Sequence, residues 1–146
     1  MITFNSKGCI NCRLCEDVCS FHFTGRFKPS VAAIRMERNG KFGEIKAHKC
    51  TLCTDRNEQE CVAICPVDAL YMAENGNGRG QVVKFDHDLC TTCIACVPAC
   101  PEDAVAFDEV NEFFNICDMC DGEPEPLCVR WCPENVLWVA EESAAL

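Results

Sequence analysis

The sequence contains no run of apolar residues close to the about 20 that a transmembrane helix needs, so we expect no membrane span. Its opening, MITFNSKGC, holds no apolar stretch and no twin arginine, and we therefore expect no export signal and a cytoplasmic location. The three histidines are scattered, and the sequence has no Walker loop and no nucleophile–base set. We therefore expect a chain that carries no catalytic residue and is not an enzyme on its own.

Basic residues are few, and they are unevenly distributed along the chain. The formal net charge is −10, but residues 1–49 hold nine basic and four acidic residues (+5), residues 50–100 hold three and seven (−4), and residues 101–146 hold one and twelve (−11). So acidic a chain is not typical of nucleic-acid-binding proteins. Ends of opposite sign indicate either oriented docking to a partner or only solvated surface.

Cysteine is the residue that the chain has in excess, with 16 among 146 residues. Aligning the chain on its cysteines reveals four repeated motifs in which every cysteine is used once. The first motif (CINCRLCEDVCS) and the third (CTTCIACVPACP) have the spacing C-x2-C-x2-C-x3-C. The second (CTLCTDRNEQECVAICP) and the fourth (CDMCDGEPEPLCVRWCP) have the expanded spacing C-x2-C-x7-C-x3-C. Proline follows the last cysteine in three motifs, whereas Ser20 follows it in the first.

Short strands and turns fill the segments between the motifs. The stretch AAIRMERNGKFGEIKAHKC predicts a hairpin around an Asn-Gly pair, and ALYMAENGNGRGQVVKFDHDLC predicts a second hairpin with a looser, glycine-rich tip. The GNGRG of that tip indicates a turn rather than a phosphate-binding loop, because no helix signal follows it. The x3-C end of each motif predicts one or two helical turns. We therefore expect a small α+β fold whose loops and short helices wrap metal rather than a large aliphatic core.

The cysteine spacing is typical of iron–sulfur clusters. A cube of four irons and four sulfides needs one thiolate per iron, and three cysteines at x2, x2 spacing let one loop cap three corners. In two-cluster ferredoxins the last cysteine of the other motif fills the fourth corner, and a proline after it sets the direction in which the chain leaves. Sixteen thiolates therefore predict four fully ligated [4Fe-4S] clusters, with no iron open to a substrate.

Zinc and disulfides fit the same cysteines less well. Zinc sites commonly use two C-x2-C pairs separated by about 12 to 20 residues. Three cysteines crowded into one short loop cannot pair with one another as disulfides without strain. A reduced cytoplasmic setting also disfavours disulfides.

The motifs, most specifically CTTCIACVPACPEDAV and CDMCDGEPEPLCVRWCPENVL, resemble those of the polyferredoxin subunits of multi-subunit redox enzymes over about residues 5–140. That family includes the iron–sulfur subunits of dimethyl sulfoxide reductase, formate dehydrogenase and hydrogenase complexes. The compact length and the stretch CSFHFTGRFKPSVAAIRMER are most similar to the small four-cluster subunit of tungsten-dependent aldehyde oxidoreductases. The small iron–sulfur subunit of the tungsten-containing benzoyl-CoA reductase complex is a related alternative.

The resemblance implies two nested, bacterial-ferredoxin-like dicluster modules. Residues 1–48 and 108–146 would form an outer module, and residues 49–107 an inner one. The implied ligand groups, numbered here from I to IV, are Cys9, Cys12, Cys15 and Cys132 (I); Cys117, Cys120, Cys128 and Cys19 (II); Cys50, Cys53, Cys61 and Cys100 (III); and Cys90, Cys93, Cys96 and Cys65 (IV). Spacing alone also permits sequential pairing, of the first motif with the second and of the third with the fourth. The predicted hairpin between the second and third motifs favours the nested arrangement, because it resembles the link inside a two-cluster ferredoxin.

The resemblance also implies an electron-transfer subunit. Electrons would pass through four clusters between a catalytic oxidoreductase subunit, with tungsten or molybdenum and of aldehyde oxidoreductase type, and a second redox subunit or soluble acceptor. The opposite charges of the two ends also permit head-to-tail association into filaments. Alternatives are an iron–sulfur subunit of a benzoyl-CoA reductase, formate dehydrogenase or hydrogenase complex, a free-standing soluble ferredoxin, and a zinc-organised interaction module.

Overall fold

The computed structural model describes residues 1–110 and 112–140. The described residues form four α-helices: α1 (Leu14–Thr24), α2 (Glu60–Ala63), α3 (Cys96–Ala99) and α4 (Leu127–Arg130). They also form eight strands: β1 (Ile2–Phe4), β2 (Ile34–Arg38), β3 (Ile45–Lys49), β4 (Leu70–Glu74), β5 (Gln81–Phe85), β6 (Ala106–Asp108), β7 (Phe113–Asn115) and β8 (Leu137–Val139). Single 3-10 turns cover Ser6–Gly8 and Pro29–Val31. Of the helices in these two ranges, none has the length and apolar character needed to cross a membrane.

The strands pair as four separate two-stranded antiparallel sheets. Three are local pairs, β2 with β3, β4 with β5 and β6 with β7. The fourth joins the two ends of the described chain, because β1 pairs with β8 and places Ile2 opposite Val139. Helix α1 packs on α4, and α2 packs on α3. The first and fourth motifs therefore come together, and so do the second and third.

Both hairpins predicted from the sequence are confirmed. Strands β2 and β3 pair over their full lengths and are joined by residues 39–44, in which Gly40 adopts a φ of +70°. Strands β4 and β5 pair in the same way and are joined by residues 75–80. The α+β class, with small hairpin sheets and short helices, is the one that the sequence predicted.

Helix α1 departs from the prediction of one or two turns at the end of each motif. Helices α2, α3 and α4 are single turns, but α1 has eleven residues and contains both Cys15 and Cys19. It continues past Cys19 because Ser20 supplies a backbone N–H where the other motifs have proline. It ends at Gly25, whose φ of +67° suits a left-handed helix cap and whose N–H donates to the carbonyl of Phe21.

Two small apolar cores lie on either side of strand β5. Val82 belongs to the first core and Val83 to the second, because successive side chains of a strand point to opposite faces. Cysteines contribute to both cores, with Cys19 in the first and Cys61 in the second. Phe114, which the predicted outer module contains, packs in the second core beside Cys61. The module boundaries stay a prediction, and residues 111 and 141–146 of the outer module lie outside the described residues.

Candidate metal centres

Three of the four cysteine groups line compact cavities. Their cysteines are those of group II (Cys19, Cys117, Cys120, Cys128), group III (Cys50, Cys53, Cys61, Cys100) and group IV (Cys65, Cys90, Cys93, Cys96). In each cavity three cysteines come from one motif, and the fourth is the last cysteine of another motif. This is the nested and not the sequential combination of motifs, while ligation of iron by these cysteines stays a prediction.

Group I is assembled by the two helices that pack on each other. Cys15 lies in α1 and belongs to the first core, against which Cys9 packs. Cys132 follows α4 by two residues, and it packs with Cys9 against the first core. The contact between α1 and α4 therefore brings the fourth-motif cysteine to the first motif.

The loops of the motifs share an unusual backbone conformation. Non-glycine residues with positive φ recur at equivalent positions: Asn11 and Arg13 in the first motif, Thr92 and Ile94 in the third, Leu52 and Cys53 in the second, and Met119 and Cys120 in the fourth. The third residue after the last cysteine repeats the pattern, at Asp68, Asp103 and Asn135. Each such residue costs about 1–2 kcal/mol, so the surrounding structure must hold it in place. Each of the two cysteine spacings thus has its own loop conformation.

Backbone N–H groups point at the sulfurs in a repeated way. The leading cysteine of a motif accepts a hydrogen bond over 3.4 Å from the N–H two residues later, as in Asn11 to Cys9, Leu52 to Cys50 and Thr92 to Cys90. The last cysteine of the second and third motifs accepts one over 3.3 Å from the N–H four residues later, as in Ala69 to Cys65 and Ala104 to Cys100. These donors stabilise negative charge on sulfur, which a metal-bound thiolate carries.

Cys19 receives its donor from elsewhere, because it lies inside a helix. The N–H of Ala33, fourteen residues later, donates to its sulfur over 3.3 Å. Ser20 is fully buried beside it, and its hydroxyl accepts from the N–H of Lys28 over 2.9 Å. In the first motif a helix and the loop that returns after it take the place of the Cys-Pro turn. The helix carries Cys19, and the loop supplies the N–H that donates to its sulfur.

Burial makes half of these thiols hard to ionise without a metal. It raises the pKa of Cys61 and of Cys117 to about 12, and that of Cys96 to about 11. Cys65 is an exception: burial opposes the shift, but the N–H groups of Val67, Leu70 and Ala69 lower its pKa. Buried sulfurs that become thiolates only when a cation is bound fit a metal centre, because desolvation penalises a charge that nothing neutralises.

The two cores set the order of the groups. Cysteines of groups I and II share the first core, and cysteines of groups III and IV share the second. Group II adjoins group III, because Lys49, next to Cys50, lines the group II cavity, and Ile116, next to Cys117, lines the group III cavity. The groups therefore follow the order I, II, III, IV.

The two groups at the ends of that order reach the surface. Cys12 of group I and Cys93 of group IV are the exposed cysteines of the described chain. Exposed apolar side chains flank both, with Ile10 at 57% and Ile94 at 48% exposure. Groups II and III have no exposed cysteine. The ends of the row are therefore accessible to other proteins, whereas its middle is enclosed.

The donor chemistry and the spacing of the sulfurs fit a cluster of several atoms. In the described ranges, one set of three ligand atoms lies within 4.8 Å of one another: those of His22, Asp118 and Cys120. A single zinc ion would draw four sulfurs to about 3.8 Å apart, given Zn–S bonds of about 2.3 Å in a tetrahedron. The cysteines instead surround cavities, with soft thiolate donors and backbone N–H groups directed at them. We conclude that the residues present fit [4Fe-4S] clusters.

Two residues around the sites carry no signal in the sequence pattern. Glu16 is 3% exposed beside Cys15, and its carboxylate accepts the N–H of Met36 over 2.6 Å. Arg79 reaches from the second hairpin to the loop of the fourth motif, where it donates to the carbonyl of Met119. Cysteine spacing could not reveal either residue, because both make their contacts with residues that are distant in the sequence. The sequence shows that Glu16 directly follows a cysteine, but it does not show that the carboxylate is buried.

Comparison with known proteins gives the same cofactor class. Two family models described as 4Fe-4S dicluster domain match residues 1–66 and 49–104. The chain is 37% identical to the polyferredoxin-like subunit of aliphatic sulfonate oxidoreductase from Pyrococcus furiosus, over 86% of this chain and 67% of that subunit. It is 31% identical to the beta subunit of NADH-dependent phenylglyoxylate dehydrogenase from Aromatoleum evansii, over 87% of this chain but only 28% of that one.

The chain is also similar to a subunit of another complex and to a chain of known structure. A subunit of tetrathionate reductase from Salmonella typhimurium is 29% identical, over 86% of this chain and 51% of that subunit. The active-site complex BamBC of benzoyl coenzyme A reductase contains a chain with a TM-score of 0.50 and 22% identity, over 94% of this chain and 76% of that one. That likeness shows a shared fold. From its cysteine motifs, its two dicluster domains and its similarity to the sulfonate oxidoreductase subunit, the chain belongs to the polyferredoxin-type iron–sulfur electron-transfer subunits.

Proposed function

We propose that this chain is a relay subunit in which the sixteen cysteines hold four [4Fe-4S] clusters in a row, one in each of groups I to IV. It passes electrons between a catalytic oxidoreductase subunit at one end of the row and a second redox partner at the other. The chain itself performs no chemistry on a substrate. Each cluster, when bound, supplies a site that accepts and returns one electron.

The observation that carries this proposal is the order of the groups along the two cores. Groups I and II share the first core, groups III and IV share the second, and Lys49 and Ile116 connect groups II and III. A row in which each group adjoins the next suits stepwise electron transfer through the protein. The exposure of Cys12 and Cys93 at its two ends supports entry and exit at opposite places.

The protein residues have separate tasks in this relay. The sixteen thiolates bind iron, and the backbone N–H groups at the motif loops stabilise the negative charge on sulfur. The left-handed residues of the loops orient these donors. The two apolar cores exclude water from groups II and III, which lowers the local dielectric around their sulfurs.

For the catalytic partner, we propose a subunit with a tungsten or molybdenum cofactor, of aldehyde oxidoreductase type. The support is the four-motif organisation and the compact length, which resemble the small subunit of that class. The relatives belong to complexes that act on sulfonates, phenylglyoxylate and tetrathionate, and the shared fold extends to benzoyl coenzyme A reductase. A subunit of a benzoyl-CoA reductase, formate dehydrogenase or hydrogenase complex is therefore the alternative, together with a free-standing soluble ferredoxin.

The test is to purify the chain anaerobically with the proteins that bind it and to follow reduction of its clusters by optical and EPR spectroscopy. Substrate added to the complex should reduce the clusters, and substrate added to the isolated chain should not. The variant Cys50→Ser, in the enclosed middle of the row, should interrupt transfer to an external acceptor. Turnover of substrate by the isolated chain would contradict the relay, and purification without any large partner would favour the free-standing ferredoxin.

The charge distribution also supports association between copies of the chain. Residues 1–49 carry +5 and residues 101–146 carry −11, so copies of the chain can meet head to tail. Within one copy the two charged segments lie side by side, because β1 pairs with β8 and α1 packs on α4. A contact between the segments of two copies would therefore bring together the ends of the two rows that hold groups I and II. Mass measurements across a range of salt concentrations test it, because screening should dissociate the copies as salt rises. A monomer at every salt concentration would exclude it.

A further inference from the structure

The tip of the second hairpin, residues 75–80, is fastened to the loop of the fourth motif, residues 118–123. Asn75 donates its side-chain N–H to the carbonyl of Asp118 over 2.9 Å, and Asn77 donates to the carbonyl of Glu123 over 2.7 Å. The backbone N–H of Gly76 donates to the Asp121 carboxylate over 2.8 Å. This loop carries Cys120 of group II and directly follows Cys117. A hairpin from the middle of the sequence therefore holds a cysteine loop from its end.

Arg79 donates hydrogen bonds to two carbonyls of the same loop. One guanidinium nitrogen donates to the carbonyl of Met119 over 2.9 Å, and the other donates to the carbonyl of Glu123 over 2.5 Å. The two carbonyls lie on either side of Cys120, so the planar guanidinium spans this cysteine. Met119 and Cys120 both have positive φ, a conformation that needs external support.

The glycines of the tip explain how an arginine reaches this position. Gly78 and Gly80, on either side of Arg79, have φ of +71° and +81°, which side chains rarely adopt. A Cβ on Gly76 would lie 2.8 Å from the Asp121 carboxylate, so glycine permits the close approach of the two loops. The GNGRG segment of the sequence is thus a hairpin tip shaped to fit the group II loop.

Arg79 also places a fixed positive charge beside the cysteine loop. Its guanidinium donates to the carbonyl of Met119, directly before Cys120, and to that of Glu123, three residues after it. Within the same loop, Asp118 lies against His22 and Asp121 is paired with Lys84. A cation near a thiolate favours additional negative charge on the centre that the thiolate binds.

We propose that Arg79 is the positioning residue of group II, which fastens the Cys117–Cys120 loop and raises the reduction potential of the cluster bound there. The proposal rests on the proposed function, because it takes group II as a cluster site. Reduction adds one electron and therefore one negative charge, so a fixed cation stabilises the reduced state more than the oxidised state. Removing the cation should make that cluster harder to reduce.

The experiment compares anaerobically purified holo-protein with the variants Arg79→Gln, Arg79→Lys and Arg38→Gln in redox titrations monitored by EPR. Arg79→Gln removes the charge, and Arg79→Lys keeps the charge but cannot span two carbonyls. Arg38→Gln is the matched control, because Arg38 is also a hairpin arginine that donates to a carbonyl, that of Lys41, within its own hairpin. Iron content is measured for every preparation.

We expect Arg79→Gln to lower one of the four midpoint potentials. The ratio of reduced to oxidised cluster at a fixed potential should fall by about tenfold, a shift of about 59 mV for a one-electron couple. In Arg79→Lys the same midpoint should stay near that of the wild type, and Arg38→Gln should leave all four midpoints unchanged. A selective loss of about four irons in Arg79→Gln, with none lost in Arg38→Gln, would equally support the fastening role.

Unchanged midpoints and full iron content in Arg79→Gln would overturn the inference while leaving the four-cluster relay intact. An equal shift in Arg79→Gln and Arg79→Lys would overturn the electrostatic part, because the charge is retained in only one of them. Wild-type protein that binds no iron would instead contradict the proposed function. The iron measurement thus separates the two failures.

Discussion

The backbone N–H of Lys28 donates a hydrogen bond to the hydroxyl oxygen of Ser20 over 2.9 Å, and the hydroxyl in turn donates to the carbonyl of Asp17 over 2.8 Å. The hydroxyl thereby connects helix α1 to the loop that returns after it. Ser20 occupies the place that proline has in the other three motifs. The same step of the repeat is thus performed by a turn in three motifs and by a helix in one.

Restoring the repeat at this position should therefore damage the protein. Ser20→Pro would remove a helix N–H, clash with the preceding turn and leave the N–H of Lys28 without its acceptor, at a cost of about 3 kcal/mol or more. We expect a loss of iron from group II and a lower thermal midpoint, measured by iron analysis and circular dichroism. The opposite exchange, Pro101→Ser after Cys100, is the control and should retain its iron. Full iron and an unchanged midpoint in Ser20→Pro would show that the helix is not required.

Glu16 should act on group I with a sign opposite to that of Arg79 on group II. Burial raises the pKa of Cys15 to about 12, and the Glu16 carboxylate beside it is the next cause. Glu16→Gln keeps an oxygen that can accept the N–H of Met36 but removes the charge. One midpoint potential should rise in the variant, because the reduced cluster no longer faces a carboxylate. Glu109→Gln, at an exposed position, is the control, and a fall or no change in Glu16→Gln would contradict the role of this charge.

The parts of the site that follow from spacing could be predicted from the sequence. The two spacing classes correspond to two loop conformations in the structure, because the backbone between cysteines has few ways to bring their sulfurs together. The two hairpins were predictable from turn residues such as Asn39 and Gly40. Composition alone favoured metal over a large aliphatic core, and several cysteines do lie in the two cores of the structure.

The parts that depend on long-range packing could not be predicted in this way. Ser20 in place of proline permits α1 to continue, but the path of the chain after the helix depends on the Ser20 hydroxyl accepting the N–H of Lys28, a contact that no local pattern encodes. The contact between Arg79 and the fourth motif joins residues forty positions apart. Pairing of β1 with β8 likewise depends on the closure of the whole chain. Spacing left nested and sequential pairing open because both use the same loops.

Removal of iron should unfold most of the chain. The two cores are small and contain cysteines, and the left-handed loop residues cost free energy that metal binding must offset. We expect an anaerobic chelator to abolish most of the far-ultraviolet circular dichroism signal as the brown colour is lost. Re-addition of iron and sulfide under reducing conditions should restore both. Retention of native dichroism in iron-free protein would contradict the view that the clusters form the core.

The pairing of the motifs can be read from the order in which cysteines become reactive. During gradual chelation, alkylation followed by mass spectrometry should label the exposed end groups before the enclosed middle ones, because Cys12 and Cys93 lie at the surface. Cys132 should be labelled together with Cys9, and Cys65 together with Cys90. Labelling of Cys65 together with Cys9 would instead indicate sequential pairing of the motifs.

The most direct test of the central claim is a count of iron, sulfide and zinc in anaerobically purified protein. Sixteen cysteines at four per cluster predict about sixteen irons and about sixteen sulfides per chain, with no zinc. A count of far fewer irons, or zinc in their place, would contradict the account.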